Sequence, residues 1–424
     1  MIALPVSSHV GSTTSRQEAV LLGLAFAGSL VIHTPVSLLQ PLLPHLFQNL
    51  TPLHISVMNS LRAVVFLCVT LALLVIIGKP LIDFFRQQSG RIPFVKLWQR
   101  TVIVMAIVAV LIVPSQLGIM GVGYAAFSVE PFSSTDHSYQ LYQRLMMPAL
   151  AYFLQFKDAV MFHLFSLVIT GVCIFGIQLF FETRKSPLSL LEIVSLSTVC
   201  VVATQLQSPG YPESLVIVSA LVVVTIPLNS FARIAVAIFA LFVHESSVLL
   251  FGAIALLYFT KEEKQLYVAA VFLYALCWIT SFGFDIEQLV AVRNVGGMGG
   301  IEWLLAHPLR EVLGIVISYK VLWIILIIVI KHFPAELKSF LVLLLPGIIA
   351  TAIAVDTTRL LALSFLPFLF AMEYSKRYNL LSSSRCVLLH ILNIIIPSVY
   401  VGLNSGIVFF DGVYQLLYQG FFFK

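Results

Sequence analysis

Apolar runs of roughly twenty residues follow one another along this chain, separated by short segments that hold most of the charges and turn residues. A run of that length is what one α-helix needs to cross the hydrocarbon core of a bilayer. Bounded by charges and turns, the runs fall at 19–44, 56–78, 101–122, 158–181, 188–206, 213–228, 265–283, 310–330, 338–355, 360–374 and 387–404, which predicts eleven spans. The composition agrees. Of 424 residues, 60% are hydrophobic and only 10% charged, with a mean hydropathy of +1.02; a water-facing domain carries about 25% charged residues. The expected fold class is therefore all-α, a polytopic integral membrane helical bundle, and the spans leave no stretch for a sizeable soluble domain. The whole of 1–424 reads as one membrane domain. The first 17 residues are polar and lack the pattern of a cleaved secretory signal, so the first apolar run is expected to stay.

One stretch resists reading as a straight span. Residues 231–258 begin at Arg233, end before Lys261-Glu262-Glu263-Lys264, and are interrupted by His244-Glu245-Ser246-Ser247. A straight span would put one basic end outside, whereas a re-entrant pair of half-helices returns to its starting face and keeps its polar break inside protein, where irregular backbone is tolerated. The re-entrant reading makes the basic residues consistent with the positive-inside rule. Sixteen of the 24 lysines and arginines then share one side, among them Lys79, Arg86, Arg91, Lys96, Arg100, Arg184, Lys185, Lys376 and Arg377. That side is expected to be the cytoplasm. The N-terminus is placed inside and the C-terminus outside, in a plasma membrane.

Sorting the acids by side points to the opposite face. Ten of the 19, including Glu130, Asp136, Asp158, Glu213, Asp356 and Asp411, fall on or near it. Acids contribute little to topology, so either they are solvated or they build a site that binds cations or activates hydroxyls. Two long loops are expected on this face, 125–157 and 284–309. The first contains Asp136 and the sequence Tyr139-Gln140-Leu141-Tyr142-Gln143-Arg144-Leu145-Met146-Met147-Pro148. Its helical spacing of Tyr139, Tyr142, Met146 and Leu150 suggests a helix at headgroup level.

The same run, Tyr-x-x-Tyr-Gln-Arg-Leu-x-x-Pro-x-Leu-Ala, resembles the segment after the first catalytic loop in bacterial polytopic proteins of the GT-C glycosyltransferase superfamily. Gly210-Tyr211-Pro212-Glu213-Ser214 opening a span, His244-Glu245 breaking a re-entrant segment, and Asp356-Thr357-Thr358-Arg359 before a span are each similar to features of such families. The resemblance touches about 45 residues of the 424. It implies a GT-C-like fold and an enzyme that takes a sugar from a polyprenyl-phosphate carrier to a glycan or lipid acceptor at the outer face, in cell-surface glycan assembly. It also implies a carboxylate base in the outer loop.

Such a transfer needs a base for the acceptor hydroxyl and cations for the departing phosphate. Asp136 is the expected base and Glu130 the second choice. Arg144 and Arg359 present the fork that matches phosphate oxygens, or else they pair with Asp136 and Asp356. His244 and Glu245, ionisable within an apolar stretch, are expected to face a polar cavity. Lys320, inside a span, would meet the same phosphate or pair with Glu245. The alternative function is a transporter or flippase for a lipid-linked or amphipathic substrate, with His244, Glu245 and Lys320 as a midplane site.

Other signals are weaker. Gly296-Gly297-Met298-Gly299-Gly300 reads as a flexible lid or an anion nest. No nucleotide motif occurs, which leaves the cofactor unknown and a divalent cation open. The basic, aromatic-rich stretch 79–100 suits anionic lipid and not nucleic acid. The five cysteines include no CxxC pair and suggest neither a zinc site nor a disulfide framework, only packing.

Overall fold

Helices dominate because the apolar runs have no other way to satisfy their backbone away from water, and their ends are set by side chains that cap them. The structure, a computed structural model, describes residues 14–33, 52–112, 119–132, 144–207, 209–281, 300–353, 356–402 and 406–409. The first half runs through α1 (Thr14–His33), α2 (Pro52–Gln88), α3 (Phe94–Leu111), α4 (Ile119–Phe127), α5 (Met146–Phe153), α6 (Ala159–Thr183), α7 (Leu190–Ser197), α8 (Cys200–Gln207) and α9 (Glu213–Thr225). The second half runs through α10 (Ser230–Val243), α11 (Ser247–Tyr258), α12 (Lys261–Ser281), α13 (Gly300–Ala306), α14 (Pro308–Tyr319), α15 (Leu322–His332), α16 (Leu337–Ile353), α17 (Thr357–Leu361), α18 (Phe365–Arg377) and α19 (Ser383–Ile395). A short antiparallel hairpin, β1 (Val399–Gly402) and β2 (Gly406–Phe409), follows and pairs Val399 with Phe409.

Several acids act as caps. Asp158 Oδ1 accepts from the Met161 amide (2.8 Å) at the start of α6, and Glu192 closes a capping box with Ser189 on α7. Glu263 does the same with Thr260 at α12. Asn229 caps α10 through the Ala232 amide.

Among the described residues, four helices are long and apolar enough to cross a membrane: Asn59–Gln88, Phe94–Leu111, Ala159–Thr183 and Pro334–Ile353. The number rises to six if each of two bent pairs is one span, α7 with α8 (63°) and α14 with α15 (80°). These helices fit an integral membrane protein, and among the described residues they account for four to six of the eleven expected spans. Several of the apolar runs break. The run at 310–330 turns at Lys320, which has a positive φ of 48°, and the run at 387–404 leaves the helix at Ile395, just before Ile396-Pro397, to enter β1. The described part of the helix expected at headgroup level, α5, is instead packed inside, with Met146, Met147 and Ala149 buried.

The polar interruption at 244–246 does break the helix, between α10 and α11. Arg233, near the start of α10, reaches Glu263, beyond the end of α11, with Nη1 3.1 Å from Oε1. Thirty residues of continuous helix would hold those positions about 45 Å apart, so the two helices fold back on each other. Tyr267 Oη, on α12, donates to the Val248 carbonyl near the break (2.8 Å), which fastens the hairpin to its neighbour.

The bundle has two electrically different ends. Arg184 donates to the Val224 carbonyl at the close of α9 (3.2 Å), and Lys376 bonds Glu192 nearby (2.7 Å). Glu213 begins α9 some 16 Å away, as eleven residues of helix require. The basic end therefore holds Arg184, Lys185, Lys376 and Arg377 around a surface hollow. The other end holds the acids described below.

The hairpin makes a topological prediction. Ser230 and Lys261 are both exposed, so single cysteines placed there should react with a membrane-impermeant maleimide from the same side. Labelling from opposite sides would make 231–258 one crossing.

Candidate functional site

A buried carboxylate needs cations, and Glu213, the first residue of α9, has no exposure at all. The chain reaches it through Gly210-Tyr211-Pro212. Gly210 adopts a φ of 100°, open to glycine and strained for other residues, and Pro212 precedes the first helical turn. Arg359 Nη1 donates to Glu213 Oε1, and Arg359 Nε donates to Asp356 Oδ2 (2.6 Å). The Tyr211 ring lies against the same guanidinium, 4.3 Å from ring centroid to Cζ, in cation–π contact.

On the other flank stands the break of the α10–α11 hairpin. His244 Nε2 is 3.5 Å from Glu213 Oε1. The Ser246 amide donates to His244 Nδ1 (3.1 Å), which makes Nδ1 an acceptor and puts the proton of the neutral ring on Nε2, toward Glu213. Glu245, the next residue, receives Arg144 as a fork: Nε to Oε2 at 2.8 Å, and Nη2 to Oε1. Arg144 Nη1 donates to Tyr124 Oη of α4 (3.1 Å). The result is one continuous chain of contacts from Tyr124 through Arg144, Glu245, His244, Glu213 and Arg359 to Asp356.

The second long piece of the site is assembled by Asp356-Thr357-Thr358-Arg359, in which every side chain has a use. Asp356 and Arg359 join the network. Thr357 Oγ1 donates to Glu311 on α14, and Thr358 Oγ1 accepts from the Val401 amide of β1 (2.6 Å). Gly314 allows this approach: a Cβ there would lie 3.0 Å from Thr357 Cγ2 and 3.2 Å from Val401 Cβ. Tyr319 Oη, donating to the Leu361 carbonyl (2.9 Å), holds the far end of α17.

Burial alone would lower the basicity of the Arg144 guanidinium, but Glu245 and Tyr124 more than reverse that effect. For Arg359 the burial penalty is likewise outweighed, by Asp356 and Glu213. Both stay protonated. Burial also pushes the Tyr211 phenol up, against the pull of Arg359. Among the described residues two arginines thus face three carboxylates, Glu213, Glu245 and Asp356, a formal charge of −1 (+2 − 3) with all three ionised and His244 neutral. Glu213 Oε2 has no hydrogen-bond partner among the described residues. The arrangement suits a site that admits one more proton or cation, or that lends a carboxylate to a hydroxyl.

Of the residues singled out in the sequence, Arg144, His244, Glu245, Asp356 and Arg359 come together here. Asp136 lies outside the described residues, as does most of the glycine run. Glu130 is exposed in the turn after α4. Lys320 stands apart: its Nζ donates to the Asn393 carbonyl (3.2 Å) and to Ser398 Oγ (2.9 Å). The expected pairing of Lys320 with Glu245 is replaced by the Arg144 fork, and Lys320 instead ties the α14–α15 bend to α19 and the approach to β1. Sequence reasoning placed Glu213 among the acids of this face and both Glu213 and Tyr211 in the 210–214 motif, but named neither as a site residue, and Tyr124 carried no signal.

Comparison of the chain with protein-family models, with curated proteins and with solved structures finds no match.

The network should be costly to cut on one side. Arg359→Leu strands Glu213 and Asp356 without their shared cation, and thermal unfolding in detergent should show a loss of roughly 3–5 kcal/mol. The double variant Glu213→Leu/Arg359→Leu should recover part of it, because the stranded buried charge is gone. Equal stability of Arg359→Leu and the wild type would mean that the ion pair is solvated.

Proposed function

We propose that this chain is a membrane glycosyltransferase of the GT-C kind, moving a sugar from a polyprenyl-phosphate carrier to a glycan or lipid acceptor at the acid-rich face, which we read as extracytoplasmic. The observation that carries this reading is the gathering of Arg144, His244, Glu245, Glu213, Asp356 and Arg359 into one network at a single end of the bundle. They come from segments up to 215 positions apart (359 − 144). Arg144 follows directly on the loop that bears Asp136, so the network and the loop adjoin along the chain. A transporter reading needs His244, Glu245 and Lys320 together near the midplane, and Lys320 is bound elsewhere.

In this proposal the acceptor oxygen attacks the anomeric carbon, the bond from that carbon to the phosphate oxygen breaks, and a carboxylate takes the acceptor's proton. Asp136 is the base. The lipid phosphate departs with the bonding electron pair and needs a cation, which Arg144 supplies by sharing its fork between Glu245 and the phosphate. Glu245 is the more exposed partner, with 19% of its side chain accessible, whereas Glu213 is sealed. Arg359, shared between Glu213 and Asp356, acts by holding both in place, and Arg144, which forks onto Glu245 alone and follows directly on the loop that bears Asp136, is the guanidinium that meets substrate.

A transfer assay with lipid-linked sugar tests this. Asp136→Asn should lower turnover by about 10²- to 10⁴-fold with nearly unchanged donor affinity, as loss of a general base does. Arg144→Gln should weaken donor binding as well, since a phosphate partner acts in the ground state too. Full activity in Asp136→Asn would remove that residue as base and leave Glu130. Movement of labelled lipid across liposomes that depends on Glu245 and not on Asp136 would replace the transferase with a flippase.

A further inference from the structure

At the basic end, far from the ion network, α19 lies along α7 and places three different metal-binding side chains together. Cys386 and His390 are one helical turn apart on the same face of α19, and Glu192 faces them from α7. One ligand atom from each of the three lies within 4.8 Å of the others, the one such trio of His, Cys, Asp or Glu among the described residues. Ligands on a tetrahedral zinc ion stand about 3.5 Å apart, given bonds near 2.0–2.3 Å. Small rotations of side chains would close the difference.

The histidine is arranged as a ligand would be. His390 is 1% exposed, and its Nδ1 is 2.9 Å from Ser195 Oγ. Ser195 belongs to α7, and its carbonyl accepts from Asn393 Nδ2 (2.9 Å), so the partner of Nδ1 is itself fixed. With Nδ1–H donating to that hydroxyl, Nε2 keeps its lone pair, and Nε2 has no hydrogen-bond partner among the described residues. This is how outer hydrogen bonds orient metal-ligating histidines. Cys386 is half-buried, which gives an ion a way in.

One cation already sits beside the trio. Lys376 Nζ bonds both oxygens of Glu192 (2.7 Å each), while the capping bonds to Ser189 use Oε2. Oε1 is thus held by Lys376 and not by the cap. An incoming ion can take Oε1 if the ammonium, whose side chain is 25% accessible, swings away into the hollow lined by Arg184, Lys185 and Arg377.

We propose that Glu192, Cys386 and His390 form a binding site for a thiophilic transition-metal ion, Zn²⁺ in the first instance, with water as the fourth ligand. Thiolate and imidazole favour such an ion over Mg²⁺ or Ca²⁺. Binding forms Sγ–metal, Nε2–metal and Oε1–metal bonds, releases the Cys386 thiol proton to solvent, and replaces the Lys376–Oε1 contact. In this proposal Cys386 does more than pack, and spacing did not show it because its partners are a histidine four residues on and a carboxylate 194 positions away (386 − 192), with no CxxC pair. It does not depend on the transferase reading.

Cobalt reports thiolate ligation directly. Full-length protein in detergent, carrying no polyhistidine tag, should bind one Co²⁺ per chain with a sulfur-to-cobalt charge-transfer band, and Zn²⁺ should displace it. The band should vanish in Cys386→Ser, and affinity should fall at least tenfold in His390→Asn. Lys376→Met should tighten binding by removing the competing cation, a gain that misfolding cannot mimic. Absence of the band in the wild-type protein, its persistence in Cys386→Ser, or weaker binding in Lys376→Met would overturn the proposal.

Discussion

The fully buried carboxylate of Glu213 sets the terms for the acid-rich end. An unpaired charge in such a place would cost several kcal/mol, so α9 can occupy its position only when Arg359 arrives from α17 and the His244 break arrives from the α10–α11 hairpin. These partners belong to different parts of the chain, and α17 is in turn fixed by Glu311, Val401 and Tyr319. One carboxylate thereby couples the placement of four segments. The apolar contacts around it are non-directional and could not by themselves choose this register among neighbouring ones.

Broken helices are what make such a network attainable in an apolar bundle. A continuous span buries its backbone polar groups internally and offers nothing to a ligand or to a side chain from elsewhere. At 244–246 the break exposes the Ser246 amide, which fixes the His244 tautomer, and brings Glu245 to Arg144. At Lys320 the positive φ turns α14 into α15, and the ammonium that would be costly in lipid bonds a carbonyl and a hydroxyl of the next layer. The two breaks have opposite consequences: one gathers charge into a shared site, and the other disposes of a single charge locally.

The difference explains what could be read from the sequence. The interruption at His244-Glu245 was legible because four polar residues cannot lie in an apolar helix without a reason, and the chain there does leave the helix and bring Arg233 to Glu263. The all-helical, membrane-compatible character was legible from the runs themselves. Where they bend was not, since the 63° turn between α7 and α8 occurs at Thr198-Val199 without glycine, proline or charge. Within the site, the polar positions stood out one by one. Their pairing did not: Arg359 and Glu213 are 146 positions apart, and nothing in periodicity or sidedness says which guanidinium meets which carboxylate.

That pairing changes how the site is understood. Read singly, Arg144 and Arg359 are equivalent phosphate binders waiting on an outer face. Together with their carboxylates they differ, because Arg359 is shared by two acids and stacked on Tyr211, while Arg144 forks onto one acid, Glu245. A polyanion entering the site would meet a cluster whose described side chains hold one more carboxylate than guanidinium, so binding it means taking a cation over from a carboxylate. Exchange of partners on Arg144 would then free Glu245, while Arg359, shared by two acids, would hold Glu213 and Asp356 in place.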